Sequence, residues 1–461
     1  MKNFEQKFAD LGLMIPEIML PQGIDLRKWA VIACDQFTQD RDYWENVKNT
    51  AVGAPSTLNL IFPEVFLSGE DRPRRIKDIH ETMERYLGGG ILAKARRGCI
   101  YLERDTPFQR GRRGLVAAVD LEQYHWATPA RPLIRSTEGT VPERIPPRMD
   151  IRRSAPLETS HILLLIDDDA EGLLPALGEQ AKKAPPVYQT ALMMDSGNVS
   201  GWFLDKEKDW AFLAARLEEL VRRSLARYEP DGAGISADGN RGGAPFLFAV
   251  GDGNHSLAAA KGVWEEYKKN HGGALSEHRC RYAMVEIESI YDPAITFEPI
   301  HRVIFGMNFD EVLSLLTGLP DCSSRGLSGR EELVRLTAES CSGNRFGLVS
   351  RGSASGNRYA LVETSAGGIA TADLQPLLDR HLEQATRSGG ESLSIDYIHG
   401  EEELFRLASA PERRAVGILL PPVKKAGLFE TVARTGPLPR KSFSMGEAIE
   451  KRFYLECRKL F

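Results

Sequence analysis

One stretch constrains the fold of this 461-residue chain more than any other. The run Phe246-Leu-Phe-Ala-Val250 is continuous, apolar and aromatic-rich, and it ends in Gly251-Asp252-Gly253-Asn254-His255-Ser256. Directly after it, Leu257, Ala260, Lys261 and Trp264 recur at helical spacing. A buried strand, a sharp turn made possible by two glycines, and a helix are therefore expected in immediate succession. The first turn of such a helix carries N–H groups without intrahelical acceptors at the positive end of its dipole, an environment that favours an anion. Asp252 and His255 would stand beside that anion. As an ordinary connection, the same loop would only cap the helix through Asn254 or Ser256. A dinucleotide fingerprint fits less well, because Ser256 stands at the third glycine and no acid ends a second strand about 20 residues on.

A hydrophobic content of 42% and a charged content of 27% describe a globular chain rather than a disordered one. The net charge of −5 argues against a protein built to coat nucleic acid, since phosphate binding normally shows as a basic excess. The six cysteines are scattered without a C-x-x-C pair, so neither a disulfide framework nor a zinc site is expected, and the compartment is expected to be reducing. No signal-peptide core is present at Met1 to Pro16, and no run approaches the ~18 apolar residues of a membrane helix. A cytoplasmic protein without membrane contact is the expectation.

Along the chain, a strand is expected at Trp29 to Ala33, with Asp35 just past its end, and helices at Asp40 to Thr50 and Pro73 to Leu87, the latter stopped by Gly88-Gly89-Gly90. Strands at Cys99 to Glu103 and Gly114 to Leu121 flank a basic turn, Gln109 to Arg113. Arg131 to about Arg153, rich in charges and prolines, is read as a loop; its Arg144, Arg148, Arg152 and Arg153 would bind an anion or pair with nearby acids. The apolar strand His161 to Ile166 follows. A hairpin about Asp195 to Asn198, a helix from Trp210 to Tyr228 and a glycine-rich loop from Asp231 to Gly243 lead into the central strand. Beyond it come a strand at Arg281 to Ile287 and the segment Phe297-Glu-Pro-Ile-His-Arg-Val303. The division expected is 1–130, 131–305 and 306–461, the last part alternating helices and strands.

In this order, Val250-Gly251-Asp252-Gly253-Asn254-His255-Ser256, Pro299-Ile300-His301-Arg302-Val303 and Pro439-Arg440-Lys441-Ser442 resemble the A-D-G-H-H-R, P-x-H-R-V and P-x-K-S elements of the family catalogued as domain of unknown function 1015. Thr137-Glu138-Gly139-Thr140 looks like its H-E-x-T element. The central motif is also similar to the D-G-H-H-R of the ParB and sulfiredoxin-like superfamily, which includes a free serine kinase, and whose members bind nucleotide phosphates at this loop. The resemblance implies an α/β fold, a mixed α+β sheet forming a ParB/sulfiredoxin-like nucleotide-binding core with N-terminal and C-terminal α/β additions. It implies catalytic roles for Glu138, Asp252 and His255, with Asp252 as a Mg²⁺ ligand and Glu138 as the base at a substrate hydroxyl. It further implies phosphate or nucleotide contacts from Gly251, Gly253, Asn254, Ser256, His301, Arg302, Lys441 and Ser442. The activity implied is a Mg²⁺- and nucleotide-dependent (ATP, ADP or another nucleotide) phosphotransferase acting on serine or a similar small hydroxylated metabolite. A phosphoserine-type phosphohydrolase and a non-catalytic nucleotide-sensing or DNA-associated binding module are the alternatives. This chain departs from the family at Asn254 and Ser256, where the motif has histidine and arginine, and at Ala33-Cys34-Asp35-Gln36, where many relatives have Pro-Pro-Tyr-Asp.

Overall fold

Phe248, Ala249 and Val250 have no exposed surface, and a neighbouring strand covers each edge of theirs. The computed structural model describes residues 2–32, 41–66, 71–126, 131–170, 172–229, 244–272, 278–352, 356–387, 393–410 and 414–461. The chain forms two compact units, Met1–Ile295 with Gly446–Phe461, and Thr296–Met445.

The first unit is built on a ten-stranded mixed sheet. Its order runs Tyr188–Ala191, Asn198–Leu204, Cys99–Asp105, Arg112–Asp120, Tyr282–Ser289, Leu163–Ile166, Phe248–Asp252, Ile134–Ser136, Tyr124–His125, with Leu13–Met14 added beside Arg112–Asp120. Strands from 1–130 and from 131–305 thus share one sheet, and the division of the chain falls at Ile295/Thr296, before the strand Phe297–Phe305 rather than after it. The α/β class expected is the one observed. A four-stranded sheet joins Arg96–Arg97, Glu17–Met19, Cys457–Lys459 and Leu157–Glu158, so the last residues of the chain return to the first unit.

The helix Asn254–His271 buries Leu257, Ala260, Lys261, Val263 and Trp264, and its last turn carries Lys268, Lys269 and His271, the sign its dipole favours. Burying a side chain such as Leu257 contributes on the order of 1.5–3 kcal/mol. Helices Arg41–Ala51, Arg72–Gly88 and Glu207–Tyr228 lie where periodicity placed them.

Two local expectations are corrected. Trp29 to Ile32 is buried but is not a strand; only an isolated bridge from Ile32 to Arg452 forms, and the backbone is satisfied instead by Thr57, whose Oγ1 accepts from Val31 N–H at 2.9 Å and donates to Trp29 O at 2.8 Å. Within the supposed loop after Arg131, Ile134–Ser136 is a strand and Ile145–Arg152 a helix, since Pro146 and Pro147 occupy first-turn positions where no N–H is missed. Asp35, the Ala33 to Gln36 segment and the Asp231 to Gly243 run lie outside the described residues.

The second unit holds a seven-stranded antiparallel sheet, Ser323–Leu327, Asn357–Thr364, Asn344–Arg351, Ala415–Leu419, Phe297–Phe305, Ser394–His399, with Phe443–Met445 also on Phe297–Phe305. Helices Phe309–Leu316 and Arg330–Ala338 belong to the same unit, in keeping with the alternation of helices and strands expected there.

Candidate functional site

Phe248–Asp252 and Ile134–Ser136 run parallel, with Val250 opposite Ser136. Thr137 Oγ1 extends the contact by donating to Val250 O at 2.6 Å. Glu138 and Asp252 each lie two residues past this last pair, so they leave the carboxyl ends of neighbouring parallel strands side by side. Loops at such strand ends are where open α/β sheets gather ligands. On its other edge Phe248–Asp252 meets Leu163–Ile166 antiparallel, and the register slips between Val250 and Asp252, making Gly251 a bulge. A bulge re-aims the side chain after it, here Asp252.

Gly253 then takes the left-handed conformation, φ 78° and ψ 26°, and ends the strand in the first turn of the helix. A Cβ there would sit 3.1 Å from Ile162 Cα, so both conformation and space select glycine. Asp252 Oδ1 accepts from Gly253 N–H at 2.9 Å, and Oδ2 pairs with Lys451 Nζ at 3.1 Å, both side chains largely buried. His255 Nε2 accepts the Val141 N–H at 3.2 Å and so fastens the Glu138 loop to the helix start. Asn254 Oδ1 and Thr140 Oγ1 are buried without a hydrogen-bond partner among the described residues. Buried polar atoms left unmatched on both loops mark where a ligand or water belongs.

Gly251 to Ser256 thus form one strand-to-helix turn, and Glu138 lies on the loop whose Val141 N–H donates to His255. Of the expected arginines, Arg152 pairs with Glu158 at 2.6 Å, and Arg153 with Asp150 at 2.8 Å and Glu266 at 2.9 Å, the acid-paired alternative. The remaining site candidates belong to the second unit. His301 is buried, its Nδ1 accepts from Leu420 N–H at 3.1 Å, and burial, then Arg302 and His399, push its pKa down to about 4. Arg302 is fully buried, donating to Gln375 Oε1 at 2.9 Å and to Ile300 O, with its guanidinium over the Tyr397 ring. Ser442 is buried and donates to Pro439 O at 2.6 Å, whereas Lys441 is exposed.

Lys451 and His161 had no signal in the sequence: each reaches the loop from a segment far along the chain. Lys451 supplies a cation beside a loop whose family arginine is Ser256 here. His161 Nε2 lies 3.0 Å from Ser256 Oγ.

A family model described as "Protein of unknown function (DUF1015)" matches residues 20–377. No curated protein matches. Solved structures that resemble the chain include a conserved hypothetical protein from Pyrococcus furiosus, at 11% identity and TM-score 0.33, covering 75% of this chain and 95% of that one. A free serine kinase in complex with AMP has 11% identity and TM-score 0.35, covering 76% and 93%. SbnI with a C-terminal truncation, from Staphylococcus aureus, has 10% identity and TM-score 0.32, covering 72% and 82%. At this level of similarity no residue correspondence follows. Among the described residues no helix is long and apolar enough to cross a membrane.

Proposed function

This chain belongs to the DUF1015 family, described as proteins of unknown function, and on that footing we propose that its Gly251–Ser256 loop binds the phosphates of a nucleotide and that the site passes a phosphoryl group to a small hydroxylated metabolite such as serine. The observation that supports the reading is the parallel pairing of Ser136 with Val250, each two residues before Glu138 and Asp252, together with the bond from Val141 N–H to His255. Phosphoryl transfer asks for positioning and for charge stabilisation more than for covalent help. The first turn of Asn254–His271 lies at the positive end of the helix dipole, an environment that favours phosphate oxygens. Lys451 Nζ, held by Asp252, adds the positive charge that Ser256 cannot.

In the transfer, Glu138 takes the proton from the substrate hydroxyl while its oxygen bonds to phosphorus and the bond to the leaving phosphate oxygen breaks. His255 accepts at Nε2, so Nδ1 carries its proton when the ring is neutral and is the atom that would donate to a phosphoryl oxygen. Mg²⁺ finds no prepared ligand set: no group of three His, Cys, Asp or Glu gathers among the described residues, and both Asp252 oxygens are engaged. No step is therefore routed through a metal; an ion arriving on the nucleotide's own phosphates would have to displace Lys451 to reach Asp252.

That engagement of Asp252, together with Ser256 in place of arginine, favours as second reading a binder of phosphorylated ligands without turnover. A melting-temperature panel with ATP, ADP, CTP, serine and phosphoserine, each with and without Mg²⁺, tests binding, because a ligand of the folded state alone raises the transition. Phosphorus NMR of the same mixtures separates the readings. Phosphoserine formed from nucleotide and serine supports transfer, stabilisation without product supports the binder, and no stabilisation by any phosphate ligand removes both.

A further inference from the structure

The loop has a second face. Leu163–Ile166 flanks Phe248–Asp252 on the edge opposite Ile134–Ser136, and from just before it His161 reaches Ser256, with Nε2 and Oγ 3.0 Å apart. Both residues line a cavity of ≈ 150 Å³ whose walls are apolar at Leu60, Phe62, Met83 and Ile151 and charged at Arg148, Arg152 and Glu158. A volume of about that size admits a group as large as benzene beside the apolar part of the wall. The His161 ring is set by an edge contact to Phe453, centroids 5.0 Å apart, and its Nδ1 is buried with no partner among the described residues. A serine hydroxyl on a fixed imidazole, at a helix start and open to a partly apolar cavity, is the arrangement of an activated nucleophile with a place for an acyl group.

We propose that Ser256 is a nucleophile and His161 its general base towards a small uncharged carboxylic ester or thioester whose apolar acyl group fills the cavity. Ser256 Oγ bonds to the carbonyl carbon as its proton passes to His161 Nε2. The oxyanion forms beside the first-turn N–H groups of Asn254–His271, donors of the kind that stabilise such charge. The carbon–oxygen or carbon–sulfur bond then breaks, and the alcohol or thiol leaves with the proton from His161. Water then bonds to the acyl carbon and gives a proton to His161, the bond to Ser256 Oγ breaks as that proton passes to Oγ, and the carboxylic acid released loses its proton to solvent. On the cavity wall Arg152 is paired with Glu158 at 2.6 Å, and Leu163–Ile166 lies on the edge of Phe248–Asp252 opposite Ile134–Ser136, so this activity is separate from phosphate binding on the Glu138 face.

The full chain treated with a fluorophosphonate and, separately, with p-nitrophenyl acetate and p-nitrophenyl hexanoate tests this by intact mass and peptide mapping. One adduct on Ser256 is expected, absent in Ser256→Ala and formed about a hundredfold more slowly in His161→Gln. Ser256→Cys preserves the size of the pair; its alkylation by iodoacetamide should follow the imidazole titration and lose that pH dependence in the Ser256→Cys/His161→Gln double variant. Labelling elsewhere only, an equal rate in His161→Gln, or a cysteine pH profile indifferent to His161 overturns the proposal and leaves the phosphate-binding reading untouched.

Discussion

Replacing Glu286 with glutamine should cost far more than the same change at Glu288, although both carboxyls are buried on one face of Tyr282–Ser289. Burial drives the Glu288 carboxyl well above the usual range, with Arg112 opposing and Glu286 adding to the rise. Burial also raises Glu286, but Arg452 and Arg112 outweigh it and hold that carboxyl below the usual range. Arg452, 3.3 Å away, thus favours the ionised form of Glu286, whereas Glu288, although its Oε1 lies 2.8 Å from Arg112 Nε, is the more readily protonated of the two. Glutamine mimics a protonated carboxyl, so Glu288→Gln should cost less than Glu286→Gln. Glu286→Gln leaves buried guanidinium charge uncompensated, a loss of roughly 3–5 kcal/mol. For an m-value of about 2–3 kcal/mol/M this lowers the urea midpoint of the first unit's transition by roughly 1–2 M. Equal losses, or a larger one at Glu288, would refute the proton assignment. The consequence reaches the site, because Arg452 anchors the returning tail one residue after Lys451, the partner of Asp252.

Gly253→Ala should destabilise by about 1–2 kcal/mol from the left-handed backbone alone, and Gly253→Asn by less, read as urea midpoints. Burial raises the Glu122 carboxyl, but bonds from Lys268 and Trp264 and the charges of Lys261 and Lys268 prevail and hold it at about 2. Its contribution is present above the unfolded value of 4.5 and is lost as pH falls towards about 2, so Glu122→Gln should flatten that limb of the stability curve. The group is more than a third exposed, which limits the effect to about 1 kcal/mol or less.

The loop and its helix were legible because their signals are local: an apolar run, two glycines, and Leu257, Ala260 and Trp264 one helical turn apart. The helix Ile145–Arg152 was not, because its two prolines look like loop residues until they are seen in the first turn. Trp29 to Ile32 has a strand's composition, yet Thr57 and Ser56 take its backbone bonds, which composition cannot reveal. Motif order alone paired Glu138 with Asp252; the parallel register, which ends at Ser136 and Val250, could not be read from the sequence. Lys451 and His161 were invisible, since their roles depend on chain segments that meet only when the sheet is complete.

Calorimetric titration of ATP and ADP into wild type, Asp252→Asn, His255→Ala and Lys451→Met, without metal and with Mg²⁺, tests the central claim most directly. Loss of one charge-assisted bond should weaken binding by about 1.5–3 kcal/mol, roughly ten- to hundredfold, in His255→Ala and in Lys451→Met with or without metal. Asp252→Asn should bind at least as tightly as wild type, with or without Mg²⁺, since it removes an anion that repels phosphate. Equal affinities in all four proteins would contradict the account and reduce Gly251–Ser256 to a turn.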